Sequence, residues 1–139
     1  MPVNNRLEQF RGTETILIVD DNETIWDFLI EALKGLGYTV VLAENGLDAV
    51  ETYAANPHKI DLVLLDMIMP KAGGHQTFFK IRAIDPEAKI LLSSGFVSEE
   101  EVQDLLAQGA CGFLPKPHRL PVVAKAIRDV LDNKVPADV

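Results

Sequence analysis

Three carboxylates, a hydroxyl and an ammonium stand where apolar runs of this chain end. Asp20 and Asp21 follow Thr15-Ile16-Leu17-Ile18-Val19, Asp66 closes Leu62-Val63-Leu64-Leu65, Ser94 follows Lys89-Ile90-Leu91-Leu92-Ser93, and Lys116 follows Cys111-Gly112-Phe113-Leu114-Pro115. Burying a carboxylate costs too much to be casual. Three that converge repel one another unless a cation lies among them, and an all-oxygen set suits Mg2+, with Mn2+ able to substitute. A carboxylate beside such an ion, an ammonium and a hydroxyl is the equipment of phosphoryl transfer, where positioning and neutralising charge supply most of the catalysis.

For these residues to meet, the runs that carry them must be neighbours in one sheet. The stretch from Ile60 to Pro70 is almost unbroken in its apolar character and too short for a typical helix, so it reads as a strand buried on both faces. Thr15 to Val19 reads the same way. Ile25, Leu29, Ala32, Leu33 and Leu36 follow at helical spacing, and Gly35 and Gly37 end that helix before the β-rich Tyr38 to Leu42. Asn45 caps a second helix with Leu47, Val50 and Ala54 on its inner face, closed by Pro57. Phe78, Phe79, Ile81 and Ile84 mark a third helix after a Gly73-Gly74 hinge, stopped by Asp85-Pro86. Ser98 and Glu101 form a capping box for a fourth helix, which Gly109 terminates. Pro121 opens the last, with Leu120, Val123, Ala124, Ile127, Val130 and Leu131 on one face.

Five strands alternating with five helices predict an α/β chain of (βα)5 type, a doubly wound five-stranded parallel sheet. In the flavodoxin-like strand order 2-1-3-4-5, the first and third strands adjoin at the topological switch point, and the three carboxylates converge there. Residues 1–13 read as a flexible leader, 14–133 as the domain and 134–139 as a short tail.

Composition narrows the field further. The chain has 139 residues, 47% of them hydrophobic, which suits one domain with a real core. A net charge of −8 with only 13 scattered basic residues argues against a nucleic-acid or anionic-membrane surface. Cys111 is the only cysteine and forms no internal disulfide, and no apolar signal core or membrane-spanning run is present, so a cytoplasmic setting is expected.

Asp20-Asp21, Asp66 with Met69-Pro70, Ser94-Gly95 and Lys116-Pro117 together resemble the signature of the response-regulator receiver domain of two-component phosphorelay signalling, the CheY-like family. The match spans Thr15 to Leu131, nearly the whole chain. The resemblance implies a phosphoacceptor that catalyses only its own phosphorylation and dephosphorylation. Asp66 would accept a phosphoryl group from a histidine kinase or histidine phosphotransfer protein. Asp20 and Asp21 would organise Mg2+ with Asp66 and the backbone carbonyl of Ile68. Ser94 would bind a phosphoryl oxygen, Lys116 would pair with the phosphorylated carboxylate, and Lys116-Pro117 would be a cis peptide. Ser94 and Phe113 would then switch the surface formed by the fourth helix, fifth strand and fifth helix toward a downstream protein, leaving room for a weak homodimer. Departures are mild: serine stands at 94 where threonine is commoner, and His118 where phenylalanine is frequent. Ile68 and Phe96 would shield the acyl phosphate and slow its hydrolysis. The leader ending Arg11-Gly12-Thr13-Glu14-Thr15 resembles the entry into C-terminal receivers of hybrid histidine kinases, and a stand-alone regulator fits equally.

Plainer readings stand beside these. A single Asp after a strand is usually a turn or cap residue, and only the joint pattern outweighs that. Ser93 competes with Ser94, because strand alternation lets one of them face the site; the spacing to Lys116 favours Ser94. Phe113 and Cys111 fit the core. His58, His75 and His118 are dispersed and form no metal cluster. Trp26 serves equally well as an exposed docking anchor on the first helix or as a cap on the core edge. Two alternative functions remain: an Mg2+-dependent phosphatase using an aspartyl phosphate, which would need an acid where Ile68 stands, and a scaffold receiver that works without phosphorylation. Flavin or nucleotide binding lacks a glycine-rich phosphate loop.

Overall fold

The computed structural model describes residues 7–21, 23–56, 59–67, 73–95, 99–115 and 119–133, with only the backbone described for 23–26. Ten elements alternate: β1 (Thr15–Val19), α1 (Glu23–Gly35), β2 (Thr39–Ala43), α2 (Gly46–Ala55), β3 (Leu62–Asp66), α3 (Gly74–Ile84), β4 (Ile90–Ser94), α4 (Glu99–Ala107), β5 (Gly112–Pro115) and α5 (Leu120–Leu131). The strands pair in parallel, as the alternation implies, in the expected flavodoxin-like order β2-β1-β3-β4-β5.

The unbroken apolar runs have a direct cause. Side chains alternate between sheet faces, so a strand covered on both sides needs an apolar residue at every position. Ile16, Ile18, Leu62, Leu64, Leu91 and Leu114 join Leu29, Leu33, Val123 and Ile127 in one core, beneath α1 and α5. Leu17, Val19, Val63, Leu65, Ile90 and Leu92 join Ala49, Tyr53, Phe78, Ile81 and Leu105 in the other, beneath α2, α3 and α4. Edge strand β2 has one fully buried residue, Ala43, and looser packing elsewhere.

The buried face departs from the expected one in α2. Asn45 does cap α2, its side-chain oxygen accepting from the Asp48 amide at 2.9 Å. The buried face, however, is Gly46, Ala49 and Tyr53, while Leu47 and Ala54 are exposed and Val50 is half-buried. Small residues let α2 lie close to the sheet, and Tyr53 fills the remaining volume. Its hydroxyl donates to Asp85 at 2.8 Å, and burial pushes its pKa up. In α3, Phe78 and Ile81 are buried but Phe79 and Ile84 are exposed. The Ser98 half of the expected capping box lies outside the described residues, as do His58, Pro57 and the 134–139 tail.

Residues 7–13 of the expected leader are held against the domain. Leu7 and Phe10 pack on the core beneath α1 and α5. The Gly12 amide donates to Leu36 at 3.1 Å, and the Tyr38 hydroxyl donates to the Phe10 carbonyl at 2.6 Å. Arg128 of α5 donates to both carboxylate oxygens of Glu14, at 3.1 and 2.6 Å, and to the Arg11 carbonyl at 3.1 Å. Residues 1–6 lie outside the description.

The hydrogen bonds from Arg128 hold the Glu14 carboxyl below its ordinary pKa of 4.5. A carboxyl whose folded pKa is depressed adds stability that is complete above its unfolded pKa and lost as pH falls through the folded one. Urea unfolding of wild type and Glu14→Gln should therefore show a gap of about 1 kcal/mol at pH 7, shrinking as pH drops below that ordinary value. A gap unchanged down to pH ~3, below the usual range for Glu, would show that the bidentate pair contributes no charge-dependent stability.

Candidate functional site

The C-terminal ends of β1 and β3 adjoin in the sheet, Val19 pairing with Leu65, so the residues that follow meet at one edge. Asp20 comes directly after β1 and is 1% exposed; its amide donates to the Ala43 carbonyl at 3.0 Å, which fixes the turn. Asp66 is the last residue of β3 and is 4% exposed. Asp21 is exposed. One carboxylate oxygen from each of Asp20, Asp21 and Asp66 lies within 4.8 Å of the others. Among the described residues this is the group of acidic or imidazole side chains gathered closely enough to hold a metal ion. His75, by contrast, contacts Asp104 of α4 at 3.3 Å.

The donor set fits a hard divalent cation. All three side chains offer carboxylate oxygen and two are buried, so like charges gather where charge is costly to bury. Among the described residues the group contains carboxylates alone, the ligand type that hard cations take.

Ser93 and Ser94 both lie within β4, which runs one residue past the expected end. Both are buried. The register pairs Asp66 with Ser93 and Ser94 with Pro115, so Ser94 sits at the tip of its strand. The Ser93 carbonyl accepts from the Met67 amide at 2.9 Å and extends the β3–β4 ladder just beyond Asp66. Phe113 of β5 pairs with Leu92 of β4 and is half-buried against the core beneath α2, α3 and α4. Ile68, Phe96, Lys116, Pro117 and His118 lie outside the described residues, as does the side chain of Trp26.

Gly74 is a site residue whose role the sequence pattern does not reveal. A hinge is expected at Gly73-Gly74, but Gly73 is the N-cap of α3 and Gly74 its first residue. The Gly74 amide donates to the Met67 carbonyl at 3.1 Å. A Cβ on Gly74 would meet Met67 Cα at 2.5 Å and the Asp66 carbonyl oxygen at 2.7 Å. The glycine is needed for close approach, letting the first turn of α3 press on the peptide that carries Asp66. The Thr77 hydroxyl donates to the Gly73 carbonyl at 2.9 Å and braces that turn.

Comparison with known proteins adds independent support. The family model described as response regulator receiver domain matches residues 16–128. The chemotaxis protein CheY of Halobacterium salinarum is 35% identical over 116 residues, covering 84% of this chain and 95% of that protein. The sensor kinase CckA of Brucella abortus is 30% identical over 123 residues, 88% of this chain, which spans only 13% of the kinase. A chain of the CheX–CheY–BeF3–Mg2+ complex from Borrelia burgdorferi superposes with a TM-score of 0.82 at 28% identity, covering 88% of this chain and 96% of that one. Among the described residues, no helix is long and apolar enough to cross a membrane.

Gly74→Ala should lower stability by about 1–3 kcal/mol in urea unfolding, because the clash is with backbone that cannot step aside. A loss no greater than that of Gly35→Ala, where a Cβ meets nothing within 4 Å, would refute the close-approach role.

Proposed function

The chain belongs to the response-regulator receiver domain family, and from that premise we propose that Asp66 is the phosphoacceptor of a two-component phosphorelay. The observation that carries this reading is the gathering of the Asp20, Asp21 and Asp66 carboxylates at the switch point of the sheet. The donor is a phosphohistidine of a histidine kinase or phosphotransfer protein. An Asp66 carboxylate oxygen attacks phosphorus as the bond to the donor's imidazole nitrogen breaks; the donor ring, already protonated at its other nitrogen, leaves as neutral imidazole and the product is an acyl phosphate.

Asp20, Asp21, Asp66 and the Ile68 carbonyl would hold Mg2+ or Mn2+. The ion, when bound, supplies positive charge against the phosphoryl oxygens. Asp66, last in its strand and pinned by the Met67–Ser93 hydrogen bond and the Gly74 contact, is held ready for in-line attack. Lys116 pairs with the phosphorylated carboxylate. Ser94, at the strand tip, donates to a phosphoryl oxygen. Ser93 is its competitor, being the residue paired with Asp66. The domain, taken as residues 14–133, turns no small-molecule substrate over. Its autodephosphorylation is slow, shielded by Ile68 and Phe96.

In the cytoplasm the phosphoryl group shifts a population toward the state that binds it better. Ser94 and Phe113 relay that shift to the surface of α4, β5 and α5, which meets the downstream protein. A CheY matched over 95% of its length and the receiver domain of the hybrid histidine kinase CckA both stand among the similar proteins, so either setting fits this chain. An aspartyl-phosphate phosphatase is disfavoured by Ile68, where such an enzyme needs a second acid.

Intact mass after treatment with acetyl phosphate and Mg2+ tests this directly. Wild type should gain one phosphoryl group and Asp66→Asn none, while Ser94→Ala should be slowed by about tenfold or more and Ser93→Ala less. Equal gain by wild type and Asp66→Asn, or no gain by either, would remove Asp66 from the role.

A further inference from the structure

The network around Arg128 ties the N-terminal segment to α5, a helix of the proposed switch surface, across more than a hundred residues of sequence. Arg128 Nη1 donates to the Arg11 carbonyl, to Glu14 Oε1 and to the Tyr38 hydroxyl at 3.1, 3.1 and 3.2 Å; Nη2 donates to Glu14 Oε2 and Asp132 Oδ1 at 2.6 and 2.9 Å. The Tyr38 hydroxyl in turn donates a hydrogen bond to the Phe10 carbonyl. Gly12 threads between these groups with no room to spare, since a Cβ there would meet Tyr38 Cε1 at 2.6 Å. Most of these groups are half-buried, so the contacts are more than a surface decoration.

The other end of α5 follows β5, whose last residue, Pro115, pairs with Ser94. Leu120, its first residue, comes four positions after Lys116 in the sequence, and α5 packs through Val123, Ala124 and Ile127 on the core that also contains Leu114 of β5. Leu7 and Phe10 rest on that same core. A helix of 12 residues is a rod about 18 Å long. What pulls on its N-terminus toward the carboxylate edge draws Arg128 away from the segment at the opposite edge.

We propose that residues 7–14 form a strap whose grip on α5 is set by the state of Asp66: occupancy of the phosphoryl site loosens the Arg128 contacts and releases the strap. This rests on the reading of Asp66 as phosphoacceptor. Coupling of two sites is reciprocal, so a released strap in turn favours the occupied site. The strap gives the domain a second output, on the chain that enters it, besides the surface of α4, β5 and α5.

The peptide bond between Arg11 and Gly12 is a trypsin site held shut by the strap contacts, so its cleavage rate follows the open population. The test is limited trypsin digestion of the full chain in Mg2+, with and without beryllofluoride. The product beginning at Gly12 is followed by mass, and bound beryllofluoride is read by fluorine NMR. Wild type should be cut about fivefold or more faster when occupied. Arg128→Met should be cut fast in both states, with the ratio collapsed toward one. Should Arg128→Met fail to give a cooperative melt, Tyr38→Phe replaces it and should shrink the ratio by freeing Phe10. Bound beryllofluoride with wild-type cutting unchanged or slower overturns the strap and leaves the reading of Asp66 standing, as does a full ratio retained in the variant. No bound fluorine signal overturns both.

Discussion

Three carboxylates within 4.8 Å of one another at the edge of a sheet are a liability that the rest of the structure is arranged to hold. Each like-charged pair at such a distance costs about 1 kcal/mol in a water-like medium and about 3–4 kcal/mol at an effective dielectric near 20. Two of the residues are buried, so the cost lies toward the upper figure. A fold tolerates this when the residues are over-determined by their surroundings and when a cation is part of the working state. Here the surroundings are two parallel strands, β1 and β3, whose residues 16–19 and 62–65 are locked into one core or the other.

The same logic accounts for details that otherwise look unrelated. The Asp20 amide is tied to Ala43 and the Met67 amide to Ser93, so each acidic strand end is held by the neighbouring strand. Gly74 lets α3 press on the Asp66–Met67 peptide from the other side. These are short-range devices. The Arg128 network is the long-range one, binding the first residues of the domain to its last helix, and it is built of charged groups that satisfy one another at a place remote from the acidic cluster.

The architecture was legible in the sequence because β1, β3 and β4 are buried on both faces and therefore apolar without a break. Once the strand order is fixed, Asp20, Asp21 and Asp66 must share an edge. The orientation of α2 was less legible: a helix that lies close to the sheet buries Gly46 and Ala49 rather than Leu47, and hydrophobicity alone points to the larger residue. Gly74 could be seen as a glycine but not as a contact, since the atoms it must accommodate belong to Asp66 and Met67 rather than to its own turn. The docking of Leu7 and Phe10 left no periodic signal at all, because its partners Tyr38 and Arg128 are distant in the chain. Any signal lay in Phe10 and Leu7, apolar residues in an otherwise polar stretch.

On the proposed function, the acidic cluster gathers like charge that a divalent cation relieves. Urea unfolding of wild type and Asp66→Asn at pH 7, in chelator and then in millimolar Mg2+, tests it most directly. In chelator Asp66→Asn should be the more stable protein, because one of three repelling charges is gone; Mg2+ should then stabilise wild type more than the variant and close or reverse the gap. Wild type at least as stable as Asp66→Asn in chelator, with no greater gain from Mg2+, would contradict the account.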